Sequence, residues 1–204
     1  MNDAIGALER VNRGLAPGSL SEPEVNELLA RYARVAKLAA YGTTVLSGRL
    51  RDARTVARVT GTSVGRARRT LATAEALERT PELDEAMRTA SVSADEAAEI
   101  ARTETEAPGA TADLLEVAAS EGFGVLRDRA RDRRLAATDR TDLADRQRKA
   151  RSLRHRVTDL GMVRVEADLE PHVGAGLVAR LEATATRLHR RTPTAEREPM
   201  PRYL

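Results

Sequence analysis

Arg66, Arg68 and Arg69 crowd into four consecutive positions shortly after Gly61 and Ser63. Guanidinium groups at that density are suited to donating forked, permanently charged hydrogen bonds to phosphate oxygens and to the acceptor edge of guanine. To do so they must stand on an element that can lie in or across a groove, and residues 55–81 supply one. Val56, Ala57 and Val59 give a first helix its apolar side, Gly61 permits a left-handed corner, and Thr62 or Ser63 can cap the helix that follows. Val64, Ala67, Leu71 and Ala74 recur at three- and four-residue spacing and mark the buried face of that second helix, with the arginines on its flanks and outer side. A short helix, a glycine corner and a longer helix with outward arginines is the pattern of a helix-turn-helix. In such a motif Ser63 and Val64 would face the major groove, Arg68 and Arg69 would reach base edges or phosphates, and Arg66 would touch phosphate. The plainer alternative is a packed helix pair with a solvated arginine side.

A second basic feature follows. Residues 125–156 hold eleven arginines and Lys149 against five aspartates, a net charge of +7 in a chain whose formal total is +3. A one-sided basic helix or helix pair is the footprint of a phosphate-binding surface, with Arg127, Arg131, Arg134, Arg148 and Arg151 as candidate contacts. The competing reading is a solvated face with charges paired along the helix, since Asp128–Arg131 and Asp142–Arg146 have the required spacing.

Other chemistries find little support in the residues. The chain has no cysteine, which excludes a disulfide framework, a thiolate metal site and a cysteine nucleophile. Its three histidines, His155, His172 and His189, are isolated from one another in the sequence. His155 stands between two arginines, where metal binding is disfavoured. His189 falls near a helix end, where a cation is favourable. Carboxylate pairs such as Asp95–Glu96 and Asp168–Glu170 have no histidine or nucleophile at a telling distance. The run from Gly61 to Gly65 lacks the Gly-Lys-Ser/Thr ending of a phosphate-binding loop. No catalytic residue, metal ligand or cofactor is expected.

The elements that position these residues can be read in outline. With four aromatic residues in 204, the core must be built from Leu, Val and Ala, which favours closely packed helices. An amphipathic helix is expected at 3–15, and a long one from 22 to about 40 or beyond, opened by a capping box of Ser21 and Glu24 with Pro23 in its first turn. Val25, Leu28, Leu29, Tyr32, Val35 and Leu38 form its apolar stripe, and Gly42 and Gly48 weaken its continuation. Pro81 ends the helix before it. A second capping box, Ser93 with Glu96, opens another helix, and Thr111 can cap a further one. Strands are expected at 154–159 and 162–169 around Leu160–Gly161, followed by a helix from Pro171 with Val173, Leu177, Val178 and Leu181 inward. The expected fold class is mostly α, with a helix-turn-helix-like pair and a small β-hairpin before the last helix. The expected division is a terminal helix and linker at 1–20, a helical domain at 21–190 and an unstructured tail at 191–204. The amino terminus has no secretion signal and no window reaches transmembrane length, so a cytoplasmic location away from membranes is expected.

The series from Val56 to Leu77, then Pro81-Glu82-Leu83, Ala86-Met87 and residues 93–100, resembles the actinobacterial domain of unknown function 222. The later Gly161-Met162, Leu169-Glu170-Pro171, Gly174-Ala175 and Leu177 series resembles it too, so that the likeness spans roughly residues 25–188. In that family the domain commonly precedes an HNH endonuclease module. Such a nuclease needs a histidine base, an orienting asparagine and further metal ligands. The histidines of this chain have no asparagine near them, its asparagines being Asn2, Asn12 and Asn26. The resemblance therefore implies either a short member of the family or a fragment of one. Residues 55–81 and the short helices after them also resemble, in part, the helix-turn-helix of ParB-like partition proteins, although Thr62, Ala67 and Thr70 stand where larger apolar residues are usual. The expected function is a non-catalytic DNA-binding accessory domain. The alternatives are a helical self-association module, in which the hairpin or the long helix pairs two copies, and a piece of an active nuclease.

Overall fold

Helix ends in this chain are set largely by short polar signals next to alanine-rich runs. Ser21 donates its backbone N–H and its hydroxyl to Glu24 at 2.8 and 2.7 Å. Ser93 and Glu96 exchange backbone and side-chain bonds in a capping box. Asp139 accepts from the N–H groups of Thr141 and Asp142. The computed structural model describes residues 1–192, and over these the protein is mostly helical. The helices are α1 (Asn2–Arg13), α2 (Glu22–Leu50), α3 (Ala53–Thr60), α4 (Val64–Leu77), α5 (Pro81–Arg88), α6 (Ala94–Glu106), α7 (Thr111–Ser120), α8 (Phe123–Ala137), α9 (Arg140–Ala150) and α10 (Pro171–Arg191). Between α9 and α10 lies a hairpin of β1 (Ser152–Val157) and β2 (Val163–Asp168). No helix among the described residues is long and apolar enough to cross a membrane.

The chain divides into two compact units, the first ending at Ala137 and the second beginning at Thr138. The stretch expected as one domain, 21–190, is shared between them. The expected tail falls almost wholly on 193–204, outside the described residues.

In the first unit the core is formed by α4 to α8. Leu83, Met87, Ile100, Leu114 and Leu126 are fully buried, and Ala97, Ala101, Ala110 and Ala130 fill the space between them. Small residues allow close helix packing: a Cβ on Gly48 would stand 3.0 Å from the Cβ of Ala74, so α2 lies almost backbone-to-backbone against α4 there. α2 runs on through both glycines to Leu50, with Gly48 in that contact and Gly42 in open space. Pro81 takes the first position of α5, and α4 ends earlier, at Leu77. Thr111 does not cap α7; it is the first helical residue, and the cap comes from α6. Glu104 accepts from the N–H groups of Gly109 and Thr111 and from the Thr111 hydroxyl, at 2.7 to 2.9 Å. Burial alone would raise the Glu104 carboxyl, but these bonds more than offset it and hold the group below its ordinary range.

In the second unit the two strands are antiparallel, with Ser152 opposite Asp168 and Val157 opposite Val163. The connection is a five-residue loop. Thr158 donates its N–H to Met162 O and Gly161 donates its N–H to Thr158 O, both at 2.8 Å, with Gly161 left-handed at φ 74°. The strands therefore end one or more residues before the expected tips. The apolar residues of α10 depart further from expectation: Val173, Leu177, Val178 and Leu181 are exposed, not inward. Helical spacing puts them on one side of the helix, but burial needs a facing surface, and the hairpin of this unit leaves them exposed.

Candidate nucleic-acid interface

The corner between α3 and α4 has the geometry that the glycine and serine imply. Asp52 caps α3 by accepting from Arg54 and Thr55 N–H at 3.3 and 2.9 Å. Hydrogen bonding from Thr55, side chain and then backbone, and from the Arg54 backbone holds this carboxyl below its usual range. Gly61 ends α3 in the left-handed region at φ 66°, and Thr62 N–H returns to Ala57 O at 3.0 Å. Ser63 then caps α4, its Oγ accepting from Arg66 N–H at 3.2 Å. Val56, Ala57 and Ala67 are buried together between the helices, with Ala53 and Leu71 packed around them. Ala67, where a bulkier residue is usual, is only 1% exposed, so the small side chain draws α3 and α4 close and fixes the direction of α4.

Opposite that seam, Val64, Gly65, Arg68, Arg69 and Ala72 make the outward face of α4. Three of the five are small or short, so another backbone can approach α4 closely between the two arginines. Neither the Arg68 nor the Arg69 guanidinium has an ion-pair or hydrogen-bond partner among the described residues. Arg68 lines a groove with Arg51, Glu75 and Glu78 on one flank, and Arg69 lines a cleft with Asp95, Glu99, Arg102 and Glu106 on the other. Arg66 sits at the edge, 3.8 Å from Asp95 in an exposed and therefore weak pair. The helix N-terminus adds its positive end to the same face.

Residues that had not been singled out enlarge this patch. Arg49, Arg51, Arg54 and Arg58 are exposed at the end of α2 and along α3, and none of them is ion-paired among the described residues. Residues 49–69 thus carry seven arginines against Asp52 alone, a net charge of +6, and Asp52 is used as a cap. A running charge count over this window would have found it.

The other basic segment turns out differently. It is split between the two units, with Arg127, Arg131 and Arg134 on α8 in the first and Arg148 and Arg151 in the second. Arg134 is no surface contact: its guanidinium lies 2.7 Å from Glu99 and 2.6 Å from the Thr103 hydroxyl, 12% exposed. There it ties α8 to α6 and satisfies the fully buried Thr103. Arg129 and Arg133 converge on Asp113 of α7 at 3.2 and 2.9 Å and pull its carboxyl down to about 2. Arg131 pairs with Asp128 at 3.0 Å, Arg146 with Asp142 at 2.7 Å, Arg148 with Asp145 at 3.7 Å and Arg151 with Glu170 at 3.6 Å. Of the five candidates in this segment, Arg127 alone is exposed without an ion pair among the described residues. Much of the +7 charge is spent on holding helices together or is neutralised along them.

Among the described residues no group of three or more histidine or acidic side chains is arranged to hold a metal ion. Comparison with protein-family models, with curated proteins and with solved structures finds no match.

Proposed function

We propose that this protein binds duplex DNA without acting on it chemically, using α4 as the helix presented to the major groove. The observation that carries the reading is the outward face of α4, where Arg68 and Arg69 have no acidic partner and flank the short residues Gly65 and Ala72. Arg51, Arg54 and Arg58 on the neighbouring elements would meet the phosphates beside the groove, and Ser63 and Val64 at the start of α4 would lie nearest the base edges. Affinity would come chiefly from arginine–phosphate contacts and would fall steeply with salt. The resemblance to the domain of unknown function 222, whose members commonly adjoin a nuclease module, supports the same reading by analogy. On this account the α8 and α9 arginines contribute little, since carboxylates already engage most of them.

Fluorescence anisotropy with a labelled random duplex tests it. The wild-type chain should bind at low salt, Arg68→Ala/Arg69→Ala should weaken binding by about tenfold or more, and Arg131→Ala/Arg148→Ala should leave it nearly unchanged. Equal loss in both variants, or loss only in the second, would move the contact away from α4. No binding at low salt would end the proposal.

A further inference from the structure

The hairpin of the second unit has one face that is mostly apolar, interrupted on β1 by His155 opposite Val165. Leu153 and Val157 of β1 and Val163, Val165 and Ala167 of β2 share it, and Val165 is 62% exposed. The opposite face carries Arg154 and Arg156 on β1 and Arg164, Glu166 and Asp168 on β2. A two-stranded ribbon is marginal alone, and each of its edges is a template for another strand.

The ladder decides which groups that edge offers. Thr158 N–H bonds to Met162 O at the loop end. Hydrogen-bonded pairs then alternate down the ribbon, so the pairs 156–164, 154–166 and 152–168 bond inward. Val163, Val165 and Ala167 are left with their N–H and C=O groups pointing outward from β2.

We propose that β2 pairs antiparallel with β2 of a second copy, about a two-fold axis at Val165, making a four-stranded sheet. In that register Val165 of each copy exchanges both backbone hydrogen bonds with Val165 of the other, and Val163 lies opposite Ala167. Arg164 of one copy then stands opposite Glu166 of the other, twice. The charges reject the neighbouring registers: a shift of the pairing by one step sets Arg164 against Arg164, and a shift the other way sets Glu166 against Glu166. The β1 edge is less suited to closing on itself, because Arg154 and Arg156 oppose each other or themselves in each antiparallel register centred on residues 154 to 156, and Arg156 already faces Arg164 within the hairpin. The isologous partner of β2 is thus a second copy of this chain.

The experiment is molar mass by light scattering and sedimentation, as a function of concentration, on the full chain. The wild type should rise from 22.2 kDa toward twice that mass and no further. Val165→Pro removes an N–H that the hairpin itself does not use and should hold the chain at monomer mass. Arg164→Glu alone and Glu166→Arg alone should each weaken association by about tenfold or more, since each sets two like-charge pairs across the axis. An equimolar mixture of those two variants should recover the dimer, because each chain then meets the opposite sign on the other, an outcome that misfolding of either variant would not give. A wild type that stays at 22.2 kDa, a mass that grows past the dimer, or association that is indifferent to Val165→Pro and to the charge variants would each overturn the proposal.

Discussion

Two glycines in the same helix should respond in opposite ways to the same substitution, and the difference measures how closely α2 rests on the helix proposed to enter the groove. Replacing Gly by Ala inside a helix stabilises it by about 1 kcal/mol, because the alanine has less backbone freedom to lose. Around Gly42 nothing lies within 4 Å of a new Cβ, so Gly42→Ala should realise that gain in full. At Gly48 the new Cβ would meet the Cβ of Ala74 at 3.0 Å, closer than two methyl carbons tolerate. Relief requires α4 to move by a few tenths of an ångström at its buried seam, and overpacking of this kind costs about 1–3 kcal/mol. Gly48→Ala should therefore be neutral to about 2 kcal/mol less stable than wild type, and about 1–3 kcal/mol below Gly42→Ala. Urea denaturation followed by far-ultraviolet circular dichroism reads both values, with comparable m-values required for the comparison. Equal stabilisation by the two substitutions would refute the close α2–α4 contact, and with it the account of how α4 is held.

Other expectations concern the same framework. Arg134→Ala should destabilise the protein by about 3 kcal/mol, because it strands the part-buried Glu99 carboxylate and removes the donor to Thr103 Oγ1, which keeps its own bond to Glu99 O, yet leave the DNA affinity of the folded protein unchanged. Gly61→Ala places a Cβ in the left-handed region and should cost about 1–2 kcal/mol in a urea titration, with Gly61→Asn losing less. The Asp113 carboxyl, lowered from 3.8 to about 2 by Arg129 and Arg133, contributes stability that is complete above its unfolded value and is lost as the pH falls through about 2. Screening at this partly exposed site reduces the contribution to about 1 kcal/mol, and Asp113→Asn should remove that share of the stability lost by wild type between pH 4 and pH 2.

What could be read from the sequence was local. The α3–α4 corner follows from residues within a few positions of one another: Gly61 for the turn, Ser63 for the cap, and Ala67 and Leu71 for the seam. Both capping boxes and the hairpin are legible for the same reason. What escaped depends on residues far apart in the chain. Arg134 looks like any other arginine of a basic helix until α6 places Glu99 and Thr103, 35 and 31 residues earlier, against it. Thr111 has the identity of a cap, but the stronger acceptor is Glu104 across a turn. Gly42 and Gly48 are indistinguishable in one dimension, since only the position of Ala74 separates them. The spacing of Val173, Leu177 and Leu181 defines a helix face without saying whether anything covers it. Arg51, Arg54 and Arg58, by contrast, were within reach: they flank the motif in sequence, and their net charge needs no structure to count.

The most direct test of the central claim is the slope of the logarithm of DNA affinity against the logarithm of salt concentration, for wild type and for Arg68→Ala/Arg69→Ala. Each phosphate contact on duplex DNA contributes about 0.9 to the magnitude of that slope. If both arginines of α4 meet phosphate, the variant should bind more weakly and its slope should be shallower by about 1.8. An unchanged slope with unchanged affinity would contradict the claim that α4 is the surface that meets DNA.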